Sequence, residues 1–460
     1  AHFTLNAALG TAQPSWLLIS LHHLATDGIS WQILQNDLQT LLSSPSTKLP
    51  QLPAKTTAFK AWAETLTSQV STRVSELPFW RSQLAATTHL PFGSSSSKAP
   101  TERTASTHSV ALNTADTSAL LQTVPAAYNT QINDALVTAL AQVLEEWIKP
   151  DNSTDQSIII DLESHGRNQT TSDIDLSRTV GWFTAVYPVR LQLRKTANTA
   201  IKLKEVKEQL RQIPDKGIGY GILRYLSSPS TQQQLSEYPT PDLLFNYLGQ
   251  RDSGKSVLSS PQVGNAVRIL NDIDLGELRA PNNSRSYALE INAWTANGQL
   301  QMNWTYDTNR YHPNTIEKVA NSYLSALQQI IAHCIAIKHG GFTPSDFPET
   351  HFTQAHLDSF FAQLSQAYSH EVSQLSIEAI YPLALIQQTF LWHSLQSSVQ
   401  AGLLHMRGTL AGELQPSLLQ QAWQIVFNHH AALRASVHWE NLDQPVQVVT
   451  KSPVIPWQQL

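Results

Sequence analysis

The run His22-His23-Leu24-Ala25-Thr26-Asp27-Gly28 brings two imidazoles and a carboxylate close together in a chain of 460 residues. Imidazole titrates near neutral pH, so such a ring can take a proton and return it. Ahead of the run, Trp16-Leu17-Leu18-Ile19-Ser20-Leu21 predicts a buried strand. Behind it, Trp31, Leu34, Leu38 and Leu41 recur at helical spacing. The histidines therefore fall on the turn between strand and helix, where a rigid scaffold can present a side chain to a ligand. Asp27 is expected to be structural: a buried carboxylate needs a cationic partner, and Arg167 or Arg178 could supply it. His22 is expected to orient or pack rather than react.

A second candidate lies at the end of another strand. Ile158-Ile159-Ile160-Asp161-Leu162 runs into Glu163-Ser164-His165-Gly166-Arg167. Then come Asp175-Leu176-Ser177-Arg178-Thr179-Val180-Gly181-Trp182-Phe183-Thr184, Gly217-Ile218-Gly219-Tyr220-Gly221-Ile222-Leu223-Arg224 and Phe245-Asn246-Tyr247-Leu248-Gly249-Gln250. Trp182 and Phe183 are expected as core or as the wall of a tunnel. The glycines at 217, 219 and 221 lack the Lys-Ser/Thr that a phosphate loop would need.

The HHxxxDG run resembles the signature of the condensation-domain superfamily of nonribosomal peptide synthetases and related acyltransferases. The ordered set of five motifs resembles an epimerization domain of such a synthetase, over roughly residues 1 to 340. The second motif departs from the common EGHGRE, with Ser164 in place of Gly and Asn168 in place of the last Glu. The resemblance implies an α/β, chloramphenicol-acetyltransferase-like fold, two lobes in a V with the active site between them. It also implies a reaction, inversion from L to D at the Cα of an aminoacyl or peptidyl thioester on phosphopantetheine. Inversion needs a proton to leave one face of Cα and another to arrive at the opposite face, with donors for the enolate-like oxygen between. By the resemblance, His23 and Glu163 are the catalytic pair. Asn246 and Tyr247 stand near the active centre, as donors to the thioester oxygen or guides for the carrier arm, and Arg167 supports the site with His22 and Asp27.

Two alternatives share the fold. A condensing enzyme would use His23 to assist amine attack on a thioester, and it does not demand Glu163 or the Phe245–Gly249 motif. A non-catalytic recruiting domain would need neither group.

The resemblance also implies partners. An upstream peptidyl carrier domain would deliver the phosphopantetheine arm, and no cofactor would be bound by this chain itself. Downstream, in cis, a condensation domain is expected. Composition agrees with this. A net charge of −5 gives no case for nucleic acid or an anionic membrane, and a charged share of 14% is low for a globular chain. No apolar run reaches transmembrane length and no signal peptide opens the chain, which points to the cytoplasm. The single cysteine, Cys334, excludes an intrachain disulfide and any cysteine-rich metal site, and no metal is expected.

The expected organisation is an epimerization domain over 1–340 lacking its leading segment, with a partial N-lobe (1–175) and a C-lobe (176–340), a linker (341–376), and the opening of a condensation domain (377–460). That last assignment rests on Gln387-Gln388-Thr389-Phe390-Leu391-Trp392-His393-Ser394-Leu395 and His429-His430-Ala431-Ala432-Leu433-Arg434. His429 and His430, with no Asp-Gly after them, are expected to close a helix. Within the main domain, residues 93–107 predict a loop. Ile132 to Trp147 predict a long helix with Thr130 as N-cap, and Tyr187–Leu193, Ala288–Trp294 and Leu300–Tyr306 predict strands. The last two join through the Asn297-Gly298 turn of a hairpin.

Overall fold

Ile158, Ile160 and Leu162 alternate with Ile159, Asp161 and Glu163, and this period of two decides which way the candidate site faces. The computed structural model describes residues 2–6, 16–42, 51–85, 90, 99–148, 157–167, 173–192, 197–250, 279–337, 340–367, 377–396, 404–451 and 453–458. Residues 1–123 and 131–333 form one unit, and residues 124–130 and 334–460 form another.

The first unit opens with β1 (His2–Asn6) paired antiparallel to β2 (Trp16–Ser20). A 3-10 turn, His23–Ala25, leads into α1 (Gly28–Leu42). Then come α2 (Phe59–Ser68), α3 (Val70–Arg73) and α4 (Leu77–Leu84). Next are β3 (Ala105–Ala111), α5 (Thr114–Tyr128), of which residues 124–128 are counted with the second unit, α6 (Ile132–Trp147), β4 (Ser157–Ser164) and β5 (Ala185–Gln192). Three helices follow, α7 (Thr199–Arg211), α8 (Ile218–Tyr225) and α9 (Pro229–Ser236). The unit continues with β6 (Leu243–Gln250), β7 (Leu289–Ala296), β8 (Gln299–Asp307) and most of α10 (Pro313–Ala336), whose last three residues are counted with the second unit. Six strands form one sheet in the order β3-β8-β7-β6-β4-β5. β6 runs parallel to both β4 and β7, and every other neighbouring pair is antiparallel. The expected lobe boundary at 175 does not divide this sheet, because β3 and β4 precede it and β5 to β8 follow it.

The apolar face of the sheet is covered by helices. Leu136, Leu140 and Leu144 of α6 are fully buried, and Tyr323 of α10 packs edge-on to Trp304 of β8 at 5.6 Å while its hydroxyl donates to the Leu136 carbonyl at 3.1 Å. Arg211 of α7 forks onto Asp134 of α6 at 3.0 and 2.8 Å. The Asn297-Gly298 turn is present, with φ of 53° and 74°, the left-handed pair that a two-residue hairpin requires. Thr130 is not the α6 cap. Gln131 takes that place because Asp134, three residues on, accepts its backbone N–H at 2.7 Å. Thr130 instead donates to the Val124 carbonyl. Of the expected 93–107 loop, 93–98 lie outside the described residues and 105–107 belong to β3. Its alternating Thr107 and Ser109 bond Thr305 and Asn303 of β8, so the strand carries little apolar signal.

The second unit holds α11 (Gln354–Ala367), β9 (Ile377–Pro382), α12 (Leu385–Gln396), α13 (Pro416–His429), β10 (Ala435–His438) and β11 (Val446–Thr450), with an antiparallel sheet ordered β10-β11-β9. Of the stretch 341–376, expected as a linker, residues 341–367 are described, and they hold a helix and a buried cluster. Phe347, Leu357, Phe360, Phe361 and Leu364 bury against Ile377, Ile380, Val446 and Val448. The helical spacing of 357, 360, 361 and 364 is the signal for this, and a search for turn residues passes over it. Cys334 is buried, and burial pushes its thiol up to about 11. His429 ends α13, edge-on to His430 at 4.8 Å, and both are exposed. Among the described residues, no helix is long and apolar enough to cross a membrane.

Candidate active site

Asp27 caps α1. Its backbone carbonyl accepts the Trp31 N–H at 3.1 Å, and its carboxylate accepts the Ser30 N–H at 2.7 Å, a bond that a short acidic side chain at the N-cap is built to make. The same carboxylate receives Arg167 Nη2 at 2.9 and 3.1 Å and the Phe183 N–H at 3.3 Å. Arg167 also donates to Ser30 Oγ at 3.0 Å and to the carbonyls of Leu176 and Thr179, and its guanidinium lies 4.1 Å from the centre of the Phe183 ring. Burial pushes the Asp27 carboxyl up. The bonds from Ser30 and the Arg167 guanidinium outweigh that and leave it below its ordinary value. Of the two expected partners, Arg167 is the one Asp27 takes. Arg178 pairs with Asp37 instead.

This knot fixes the turn that carries the histidines. His22 caps the 3-10 turn, its Nδ1 accepting the Leu24 N–H at 3.1 Å. His23 is exposed, and its ring lies 4.8 Å from the Trp182 ring at an interplanar angle of 49°. Phe183 is core, packed on Phe59 and Trp62, whereas its neighbour Trp182 is 43% exposed.

Glu163 approaches from the sheet. The backbone register between β4 and β6 covers Asp161 with Leu244 and Leu162 with Phe245, so Glu163 and Asn246 stand at the fork where the two strands part. Alternation puts Asp161, Glu163 and Asn246 on one face, together with Glu290 and Asn292 of β7. Burial raises the Glu163 carboxyl above its ordinary value. The Asn246 side-chain hydrogen bond and the charge of His23 oppose the rise, and Glu290 adds to it. The imidazole of His23 and the carboxyl of Glu163 thus act on one another, though they come from elements 140 residues apart. Tyr247, expected beside Asn246, is on the opposite face, where its hydroxyl lies 3.3 Å from Thr295 Oγ1. Asn168 lies outside the described residues.

The stretch after Glu163 turns sharply. Gly166 has φ of +63°, and a Cβ there would fall 1.6 Å from the Phe183 carbonyl oxygen. Gly217, also left-handed, backs onto the Tyr187 ring, and Gly219 backs onto the Glu76 carboxylate. These two glycines serve close packing.

Sequence reasoning passed over three residues. Asp161 is 5% exposed and accepts the Tyr287 hydroxyl at 2.7 Å, and burial pushes its carboxyl up to about 7. Glu290 pairs with the nearly buried Arg285 at 2.9 Å, and Arg285 pairs in turn with Glu102 at 3.0 Å. A carboxylate inside an apolar strand was the available signal for both. Ser30, three residues into α1, ties Gly181 by accepting its N–H at 3.0 Å and donating to its carbonyl at 2.8 Å.

A carboxyl held above its ordinary pKa and, electrostatically coupled to it, an imidazole on the same α/β frame suit proton transfer in both directions. Residues 5–349 match the condensation-domain family, and the chain belongs to it. The fold is the mixed α/β, chloramphenicol-acetyltransferase-like fold of that family. The chain is 39% identical to a linear gramicidin synthase of Brevibacillus parabrevis over 96% of its own length, and 33% identical to bacitracin synthase 3 of Bacillus licheniformis over 97%. It spans 6% and 7% of those proteins, which are far longer. Among solved structures it resembles the epimerization domain from the third module of tyrocidine synthetase B, with 33% identity, 70% of each chain covered and a TM-score of 0.61. It shares its fold with the SgcC5 protein from Streptomyces globisporus at 15% identity, 68% of each chain covered and a TM-score of 0.50.

Proposed function

We propose that the first unit epimerizes an aminoacyl or peptidyl group, L to D at Cα, while the group is held as a thioester on the phosphopantetheine arm of a carrier domain during nonribosomal peptide synthesis. Glu163 and His23 are the acid–base pair. One takes the Cα proton, the thioester carbonyl becomes enolate-like, and the other returns a proton to the opposite face. The observation that carries this reading is Glu163 itself: a half-buried carboxyl, bonded to Asn246 and electrostatically coupled to His23. A raised pKa suits a group that must hold a proton as well as take one. The 33% identity to an epimerization domain supports the same reading. Asn246, rather than Tyr247, is the side chain set to hold Glu163. The carrier domain comes from upstream in the synthetase, residues 377–460 open a downstream condensation domain, and the assembly works in the cytoplasm.

A carrier domain loaded with an L-aminoacyl phosphopantetheine, mixed with this chain in deuterated water and no acceptor, tests the proposal. Epimerization washes deuterium into Cα and yields the D-thioester. A condensing domain gives no exchange, and forms a new amide only when an acceptor carrier is added. A recruiting domain gives neither.

A further inference from the structure

Catalytic imidazoles are usually oriented by a hydrogen bond to the nitrogen that does not react. Among the described residues, neither ring nitrogen of His23 has such a partner. Glu163 on β4 acts on it by charge. Asp27 and Arg167 neutralise one another, and His22 spends its Nδ1 on the Leu24 N–H. The Trp182 ring lies against the His23 ring, at 4.8 Å between ring centres.

The backbone on both sides of Trp182 is anchored to the helix that His23 precedes. Gly181 is bonded through its N–H and its carbonyl to Ser30 Oγ, and the Phe183 N–H reaches Asp27. A Cβ at Gly181 would fall 2.3 Å from the Phe59 ring, so the segment runs close against α2. Phe183 is buried under the Arg167 guanidinium. With the residues before and after it locked, the indole of Trp182 has little freedom except about its own side-chain torsions. It still leaves 43% of its surface open. An aromatic side chain on backbone anchored this firmly and left this exposed does little for the core.

We propose that Trp182 is a positioning residue for His23: its indole, carried on backbone held by the Asp27–Ser30–Arg167 knot, sets the plane of the imidazole in place of a hydrogen-bonding partner. The proposal rests on the acid–base reading of His23 above. It gives the buried ion pair a task beyond stability, since Asp27 and Ser30 fix at once the turn that bears His23 and the segment that bears Trp182.

The test uses the full chain with Trp182→Leu, Trp182→Phe and Trp182→Tyr. The first readout needs no activity. In protein labelled at the histidine ring carbons, the His23 signal is assigned by its loss in His23→Ala. In the native chain it is displaced by the indole ring current. That displacement collapses in Trp182→Leu and is partly kept in Trp182→Phe and Trp182→Tyr. The second readout is Cα deuterium exchange on a carrier-bound aminoacyl thioester. Trp182→Leu lowers kcat by about tenfold or more and leaves KM within about twofold, because an imidazole out of plane slows proton transfer without weakening carrier binding. The aromatic variants recover much of kcat. If Trp182→Leu leaves the His23 signal or kcat unchanged, or raises KM alone, the proposal is wrong. If Trp182→Leu does not fold, the two aromatic variants decide, since the proposal requires graded loss in both readouts. If the native chain shows no exchange, the epimerase reading fails, and the ring-carbon spectra still decide whether Trp182 holds His23.

Discussion

A single nitrogen of Arg167, Nη2, donates to both carboxylate oxygens of Asp27, at 2.9 and 3.1 Å, with 5% and 6% of the two side chains exposed. The pair ties the helix after the histidines to the turn after Glu163. Asp27→Ala leaves a buried guanidinium without its counter-charge, and the cost is about 3–5 kcal/mol by chemical denaturation. Asp27→Asn keeps the N-cap bond and costs less. Because the Asp27 carboxyl lies below its unfolded value, its share of stability is full above the unfolded pKa and is lost as pH falls through the folded one. A variant with native stability and no activity would show that Asp27 takes part in the chemistry instead.

Glu163→Gln and His23→Ala each abolish Cα exchange while the melting temperature stays close to native. His23 is exposed and removes little packing. Glu163 is raised by burial, so its neutral amide replacement carries no charge-burial cost. Near-native exchange in Glu163→Gln would refute the two-group assignment.

Asp161 makes stability fall as pH rises. Its folded value of about 7 exceeds the unfolded value, so the folded chain binds the extra proton and loses that advantage between about pH 4 and 7. Asp161→Asn removes the loss. Relative to the native chain, it gains roughly 2–3 kcal/mol between pH 5 and 8, at about 1.4 kcal/mol per pKa unit. Parallel denaturation curves for the two proteins at those pH values would contradict the assignment.

Gly166→Ala puts a methyl group 1.6 Å from the Phe183 carbonyl at a φ of +63°. The backbone must move, and it carries Arg167 away from Asp27. Loss of the cooperative transition, or a fall of several kcal/mol, is expected in circular dichroism melts.

Leu357→Ala removes a fully buried side chain from the second unit and costs about 2–5 kcal/mol. Amide exchange checks it, through weaker protection in β9 and β11. Unchanged protection would restore residues 341–367 to the status of a linker.

The strand–turn–helix around His23, the α6 helix and the Asn297-Gly298 hairpin could all be read from the sequence, because period and turn chemistry are local. Asp27 could be read as needing a cation, and Arg167 was one of two candidates. The choice between Arg167 and Arg178 depended on where residues 140 positions away come to rest, and no local pattern records that. The position of Tyr247 was lost for a similar reason: a motif names neighbours in sequence, while a strand sends them to opposite faces. α11 was hidden behind its Gly- and Pro-rich preface, although its apolar spacing was there to count.

The narrow register between β4 and β6 has a kinetic meaning. The β7–β8 hairpin closes through a two-residue turn, whereas Asp161 and Leu162 must find Leu244 and Phe245 across more than eighty residues of chain. Local closure is fast and distant closure is slow. The hairpin therefore belongs to the early part of folding and the seam beneath Glu163 to the late part. A nascent or partly unfolded chain would hold much of its helix and hairpin content before Glu163 and Asn246 meet, so proton-transfer competence would be among the last properties the molecule acquires and among the first that mild denaturant takes away.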